Sequence, residues 1–232
     1  MTKSIRYIFT LLAMGFFLIA CNDDDSTDYT KYYGWKKKNN AMTQLFLNDV
    51  RELGDQAYFS DSVAPLAEPY AYCTVRHTIA SANEDSLRRI NRWVSPYYTS
   101  TLKVHYTLFN PDTVYARFEE YDILTDRNRR NDPEVMDKIF GIGYHAGMPG
   151  YEVKADTLES YQVKFYDNFT ASSVIKGWQD CLQTMHIGDT WLIMVPWYLA
   201  YGQSGSGSSI DPYTNLFFII QLVDITDVGE NE

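Results

Sequence analysis

The tightest constraint on the fold lies near the C-terminus, where one helix-patterned segment is followed at once by two strand-patterned ones. Val174, Ile175, Trp178, Cys181, Leu182 and Met185 recur at three- and four-residue intervals and make one apolar face of an amphipathic helix, which Gly188 ends. Thr190 to Val195 reads as a strand that Pro196 stops. Gly202 to Ser209 is a glycine/serine loop, and Asn215 to Ile225 is a long terminal strand. In an alternating strand successive side chains face opposite ways, so Leu216, Phe218, Ile220 and Leu222 share one face. Strands paired antiparallel around one short helix give an α+β domain, and this is the expected class.

Upstream the pattern is looser. Met42, Leu45, Phe46, Val50 and Leu53 have helical spacing, so a helix is expected from Trp35 to about Leu53, with Gly54 as its stop. Residues 55–70 contain Pro65 and Pro69 without a clean period and read as loop, which makes 35–70 an N-terminal helical extension. Strands are expected at 71–78, at Leu102 to Thr107 and within 113–124. Another is expected at Tyr161 to Tyr166, where Tyr161, Val163 and Phe165 should share the buried face. Residues 83–94 read as a short helix or an irregular excursion. Residues 126–149 are charged and then glycine-rich, part of a long insertion at about 117–160 that includes a short helix at Pro133 to Ile139.

Five short motifs stand in order along this frame. They are Val104-His105-Tyr106-Thr107, Val174-Ile175-Lys176-Gly177-Trp178-Gln179-Asp180, Met185-His186-Ile187-Gly188-Asp189, Leu199-Ala200-Tyr201-Gly202 and Asn215-Leu216-Phe217-Phe218. They resemble V-H-Y-T, V-I-x-G-W-x-(E/D), M-x-x-G-(D/G/Q), L-A-Y-G and T-L-x-F of the FKBP-type peptidyl-prolyl isomerases. Each motif alone is common; all five at the family's spacing are not. The resemblance is strong over 174–225, moderate over 71–116 and absent over 22–70 and most of 117–160.

The resemblance implies a twisted antiparallel sheet curled around one short helix, with an aromatic pocket between them and an FKBP-like domain over 71–228. It implies that Tyr106, Val174, Ile175, Trp178, Tyr201 and Phe218 line the pocket, with Trp178 as its floor. The Ile175 N–H and the Tyr201 hydroxyl are expected to bond substrate carbonyls. Phe165, Phe169, Tyr115 and Ile210 are wall candidates, Phe165 fitting better than Phe169. Such a pocket acts on X-Pro amides without nucleophile, metal or cofactor. Two departures weaken the match. The family's aromatic-Asp pair becomes Tyr115-Ala116, with Glu119 the nearest substitute carboxylate, and the polar loop Ser204 to Ser209 replaces a longer apolar lip.

Other chemistries find less support. His77, His105, His145 and His186 lack ligand spacing, so no metal site is expected. Gly202 to Gly207 has neither the strand-turn-helix setting of a nucleophile elbow nor a phosphate-loop lysine. Lys36-Lys37-Lys38 and Glu119-Glu120 read as solvated charges.

At the N-terminus, Lys3 and Arg6 precede an apolar run from Tyr7 to Ala20, shorter than the ~20 residues needed to span a bilayer. This is the layout of a secretory signal peptide over residues 1–20. Leu18-Ile19-Ala20-Cys21 resembles the lipobox of bacterial lipoproteins, which implies lipidation of Cys21 and an acidic tether over 21–34. Attachment to the membrane through that lipid is expected, with the outer membrane favoured and its periplasmic or surface face left open. Removing Lys3 and Arg6 from the 20 basic residues leaves 18 against 30 acidic ones, a net charge of −12. A polyanion gains nothing from releasing counterions from nucleic acid, so nucleic acid is excluded as a partner. The expected partners are proline-containing polypeptides, met by a monomer that either isomerises them or only binds them. Cys73 and Cys181 are left to be two thiols or one disulfide.

Overall fold

The computed structural model describes residues 29–64, 73–82, 101–142, 164–170 and 173–225. Among these, six strands form one sheet in the order β1-β2-β5-β6-β3-β4. They are β1 (Asp61–Val63), β2 (Thr74–Ala80), β3 (Thr101–Leu108), β4 (Lys164–Thr170), β5 (Thr190–Val195) and β6 (Leu216–Ile225), and every neighbouring pair is antiparallel. Helix α1 (Tyr29–Leu53) precedes the sheet. Helices α2 (Pro111–Glu120), α3 (Arg127–Arg130) and α4 (Pro133–Phe140) lie between β3 and β4, and α5 (Lys176–Leu182) lies between β4 and β5. The α+β class, with an antiparallel sheet, one short helix and an N-terminal helix, holds.

Three expectations need correction. Residues 29–34 are the first turns of α1, where a flexible tether is expected. Residues 61–63 form an edge strand paired to β2, where a loop is expected from the prolines beyond it. Residues 111–120 are helical, where a strand is expected within 113–124. The cap decides this last case. The Asn110 side chain accepts the Thr113 N–H at 3.2 Å, and Pro111 sits at the first helical position, where its missing N–H costs nothing. The helix expected at 133–139 is α4; the Asp132 carboxylate accepts the Glu134 and Val135 N–H groups, and Gly141 closes the helix at φ 65°. Residues 83–94, Tyr161, Val163 and Cys21 lie outside the described residues.

The sheet is buried on both faces, which is why Thr190 to Val195 and Leu216 to Ile220 are unbroken runs of buried residues. Trp191, Ile193 and Val195 of β5 pair with Ile220, Phe218 and Leu216 of β6 and face α5. Leu192 and Met194 pair with Ile219 and Phe217 and face the opposite way. There they meet Met42 and Phe46 of α1, Phe118 of α2 and Met136, Ile139 and Phe140 of α4. One ionic node ties this helical layer. Asp49, 4% exposed, accepts Arg130 Nε at 2.6 Å, Arg127 Nε at 2.9 Å and Asn131 Nδ2 at 2.9 Å. The lysine run is not wholly solvated. Lys36 Nζ lies 4.6 Å from the Tyr213 ring centre and Lys38 pairs with Glu119.

Candidate functional site

The site is built on the short helix α5. Its glycine is dictated by packing, because a Cβ on Gly177 would run into the Val195 side chain and the Thr74 hydroxyl. That close approach presses Trp178 onto the sheet. Ile175 is the residue before the helix, with ψ 150°, and its carbonyl takes the Trp178 N–H at 3.0 Å and the Gln179 N–H at 3.1 Å. The Ile175 N–H stands outside the helical ladder, as the first N–H groups of any helix do. At the other end the turn Met185 to Asp189 is tied by one carboxylate. Asp189 accepts the His186 N–H at 2.7 Å and the Ala82 N–H at 2.6 Å, joining the turn to the end of β2.

Three rings meet on this face. Trp178 stands edge-on to Tyr106 at 4.8 Å and 86°, and to Phe218 at 5.1 Å and 79°; Tyr106 and Phe218 are 6.4 Å apart. Edge-to-face pairs of this kind are worth about 0.5–1.5 kcal/mol each beyond their burial. Trp178 and Phe218 are buried, whereas Tyr106, Val174, Ile175, Ile187, Tyr198 and Ile210 are only partly covered where they pack against the cluster. The face therefore presents apolar side chains over an aromatic base.

Of the residues named from sequence, Tyr106, Val174, Ile175, Trp178, Ile210 and Phe218 gather here. Tyr201 stands 41% exposed in the turn just after Tyr198, Leu199 and Ala200, which do pack on the cluster. Tyr115 is a correction. It lies on α2 on the far face of the sheet, 4.5 Å from the Trp35 ring, and its hydroxyl donates to Asn39 Oδ1. Because 111–120 is a helix, the Tyr115-Ala116 pair cannot serve this face, and Glu119 is exposed and bound to Lys38. In backbone register Phe165 pairs with His105 and Phe169 with Leu102; their side chains lie outside the described residues. Leu108, Ile187 and Tyr198 were not anticipated. For Leu108 the signal was available, since it continues the period-two series of Val104 and Tyr106.

The electrostatics are sparse. Asp180, on α5, is half-buried and its Oδ2 has no hydrogen-bond partner among the described residues. Desolvation raises its pKa to about 6, against a smaller opposing pull from Lys176. Burial pushes the Cys181 thiol up strongly and the Cys73 thiol up as well. The two thiols are not joined in a disulfide and lie in cores on opposite faces of the sheet. Among the described residues, no group of three His, Cys, Asp or Glu side chains is placed to hold a metal ion.

Residues 152–223 match the family of FKBP-type peptidyl-prolyl cis-trans isomerases. The chain is 45% identical over 62 residues to the macrophage infectivity potentiator of Trypanosoma cruzi, covering 27% of this chain and 32% of that protein. It is 40% identical over 57 residues to the FKBP-type 22 kDa peptidyl-prolyl cis-trans isomerase of Escherichia coli K12, covering 25% and 28%. To the outer membrane protein MIP of Legionella longbeachae it is 44% identical over 57 residues, covering 25% and 24%. The matched stretch thus spans about a quarter to a third of these relatives' length.

Proposed function

With the recognition of an FKBP-type segment over 152–223 as the premise, we propose that the chain is a peptidyl-prolyl cis-trans isomerase acting on proline-containing polypeptides. The observation that carries this reading is the three-ring cluster of Trp178, Phe218 and Tyr106 beneath partly exposed Val174, Ile175 and Ile210. Two of its rings lie inside the matched segment. Rotation about an X-Pro amide is opposed by ~18–20 kcal/mol of C–N resonance. In the twisted state the nitrogen lone pair is localised and the carbonyl dipole weakens. An apolar surface that strips water from the proline disfavours the dipolar planar amide relative to the twisted one. Binding the twisted form better than either planar form is what raises the rate. Trp178 would carry the ring, and the Ile175 N–H and the Tyr201 hydroxyl would bond the flanking carbonyls.

The same reading places the protein in the cell envelope, held at the outer membrane by lipid on Cys21. The signal layout and the lipobox resemblance support it, as does the similarity to a relative named an outer membrane protein. A second reading, polypeptide binding without catalysis, is favoured by one observation: the Tyr115-Ala116 pair carries no carboxylate and lies on a helix across the sheet. A prolyl-peptide isomerisation assay separates the two. The wild type is expected to accelerate isomerisation, and Trp178→Ala to lower kcat/KM ~100-fold, about 2.7 kcal/mol of transition-state stabilisation. Tyr201→Phe is expected to lower it less. A wild type that does not accelerate the reaction leaves the binding module.

A further inference from the structure

The loop between β5 and β6 carries Tyr201 and Ile210, yet its hydrogen bonds lead to the opposite face of the sheet. Pro196 ends β5, so the following N–H, that of Trp197, has no ladder partner. Asn215 supplies one, its Oδ1 accepting the Trp197 N–H at 2.9 Å. Asn215 is fully buried, and its remaining polar atoms reach α1. Its N–H donates to Asn39 Oδ1 at 2.7 Å, and its Nδ2 donates to Asn39 O at 2.9 Å and Thr43 Oγ1 at 3.1 Å. Asn39 is equally buried, donates Nδ2 to Trp35 O at 2.9 Å and accepts the Tyr115 hydroxyl. From Trp197 the path continues into the loop. Its carbonyl takes the Ala200 N–H at 3.2 Å and the Gly202 N–H at 2.8 Å, the residues on either side of Tyr201. The Gly202 carbonyl takes the Tyr213 N–H at 3.0 Å. Two outer bonds run beside this path, Trp35 Nε1 to Thr214 Oγ1 at 2.8 Å and Trp197 Nε1 to Asn40 Oδ1 at 2.7 Å.

A buried polar chain in which every member is satisfied selects one arrangement, because any displacement strands a desolvated donor or acceptor. We propose that Asn39 and Asn215 are positioning residues. Through them α1, which lies outside the matched segment, fixes the loop bearing Tyr201 and Ile210 at the substrate face. The effect on catalysis rests on the isomerase reading; the tether itself does not. The FKBP-type pattern T-L-x-F has threonine where Asn215 stands, and a threonine hydroxyl cannot replace both Nδ2 bonds to α1.

The test uses the full chain with Asn215→Thr and, as a variant at an exposed position that leaves the core intact, Asn40→Ala. Amide hydrogen exchange and the isomerisation kinetics of a proline-containing peptide are measured together. In Asn215→Thr the Trp197 and Gly202 amides should exchange faster while those of Ile193 and Ile219 in the sheet stay protected. KM should rise about ten-fold with kcat nearly constant, the signature of weakened uniform binding. Asn40→Ala should move both readouts the same way by less. Unchanged exchange at Trp197 and Gly202, or faster exchange with KM unmoved, overturns the inference. If the wild type does not turn the peptide over, the isomerase reading fails separately. Peptide affinity by tryptophan fluorescence then replaces KM, and equal affinity in all three proteins overturns the positioning role.

Discussion

On the α1 side of the sheet Phe46, Phe59, Phe118, Phe140 and Phe217 are at most 2% exposed, under helices α1, α2 and α4. On the α5 side, among the described residues, one seven-residue helix packs on the same sheet, and Tyr106, Val174, Ile175, Tyr198 and Ile210 remain partly open to solvent. The difference lies in the cover and not in the strands, since β5 and β6 send equally apolar residues both ways. A face closed by α1, α2 and α4 keeps its rings from solvent, while the face covered among the described residues by a helix too short to span it leaves apolar side chains partly exposed. On the proposed function, the helical side supplies rigidity and the α5 side supplies recognition.

The largest effect that sharpens this division should come from the helical side. Asp49→Ala strands the buried Arg130 guanidinium and is expected to lower unfolding free energy by roughly 3–5 kcal/mol in urea denaturation. KM of the folded fraction should stay at the wild-type value. A large KM change with little loss of stability would erase the distinction between the faces.

A smaller effect should come from Asp180 on α5. Its folded pKa, near 6, lies above the unfolded carboxylate value, so the folded state binds the extra proton between about pH 4 and 6. Its contribution favours folding at low pH and is lost as pH rises through the folded pKa. Asp180→Asn should therefore be more stable than wild type at pH 7, by about 1 kcal/mol after allowance for solvent screening of a half-buried group. The two should be equal at pH 4. His77, whose imidazole is held below its ordinary pKa by burial, works in the opposite sense, which is why the difference between variant and wild type is the quantity to follow. A gain at pH 4 instead of pH 7 would reverse the assignment.

The smallest effect is expected at Glu119. Its pair with Lys38 is exposed, and the carboxylate lies beyond the site face. Glu119→Gln should leave both melting temperature and kcat/KM at wild-type values. A fall in kcat/KM would restore Glu119 as the substitute carboxylate and bring α2 back to the site.

Much of the site was legible because its motifs are local in sequence. Val174 to Trp178 and Leu216 to Phe218 each place residues of the α5 cluster within a few positions of a glycine or a strand start, so identity and spacing carry the geometry. The α2 segment was not legible, because Val114, Tyr115 and Phe118 suit a strand or a helix equally, and the outcome turned on the Asn110 cap and Pro111. Edge strand β1 was hidden for a different reason: three residues are too few to show a period.

The sequence by itself determined the α+β class, the two C-terminal strands, the short helix and the aromatic residues gathered on it, since these follow from periodicity and from motifs read within short windows. Only the tertiary structure decided which face each aromatic serves, that Tyr115 backs the sheet while Tyr106 fronts it, and that Asn39 meets Asn215 across 176 positions. Those outcomes depend on contacts between segments far apart in the chain, and the energy of a contact is not written in either segment alone.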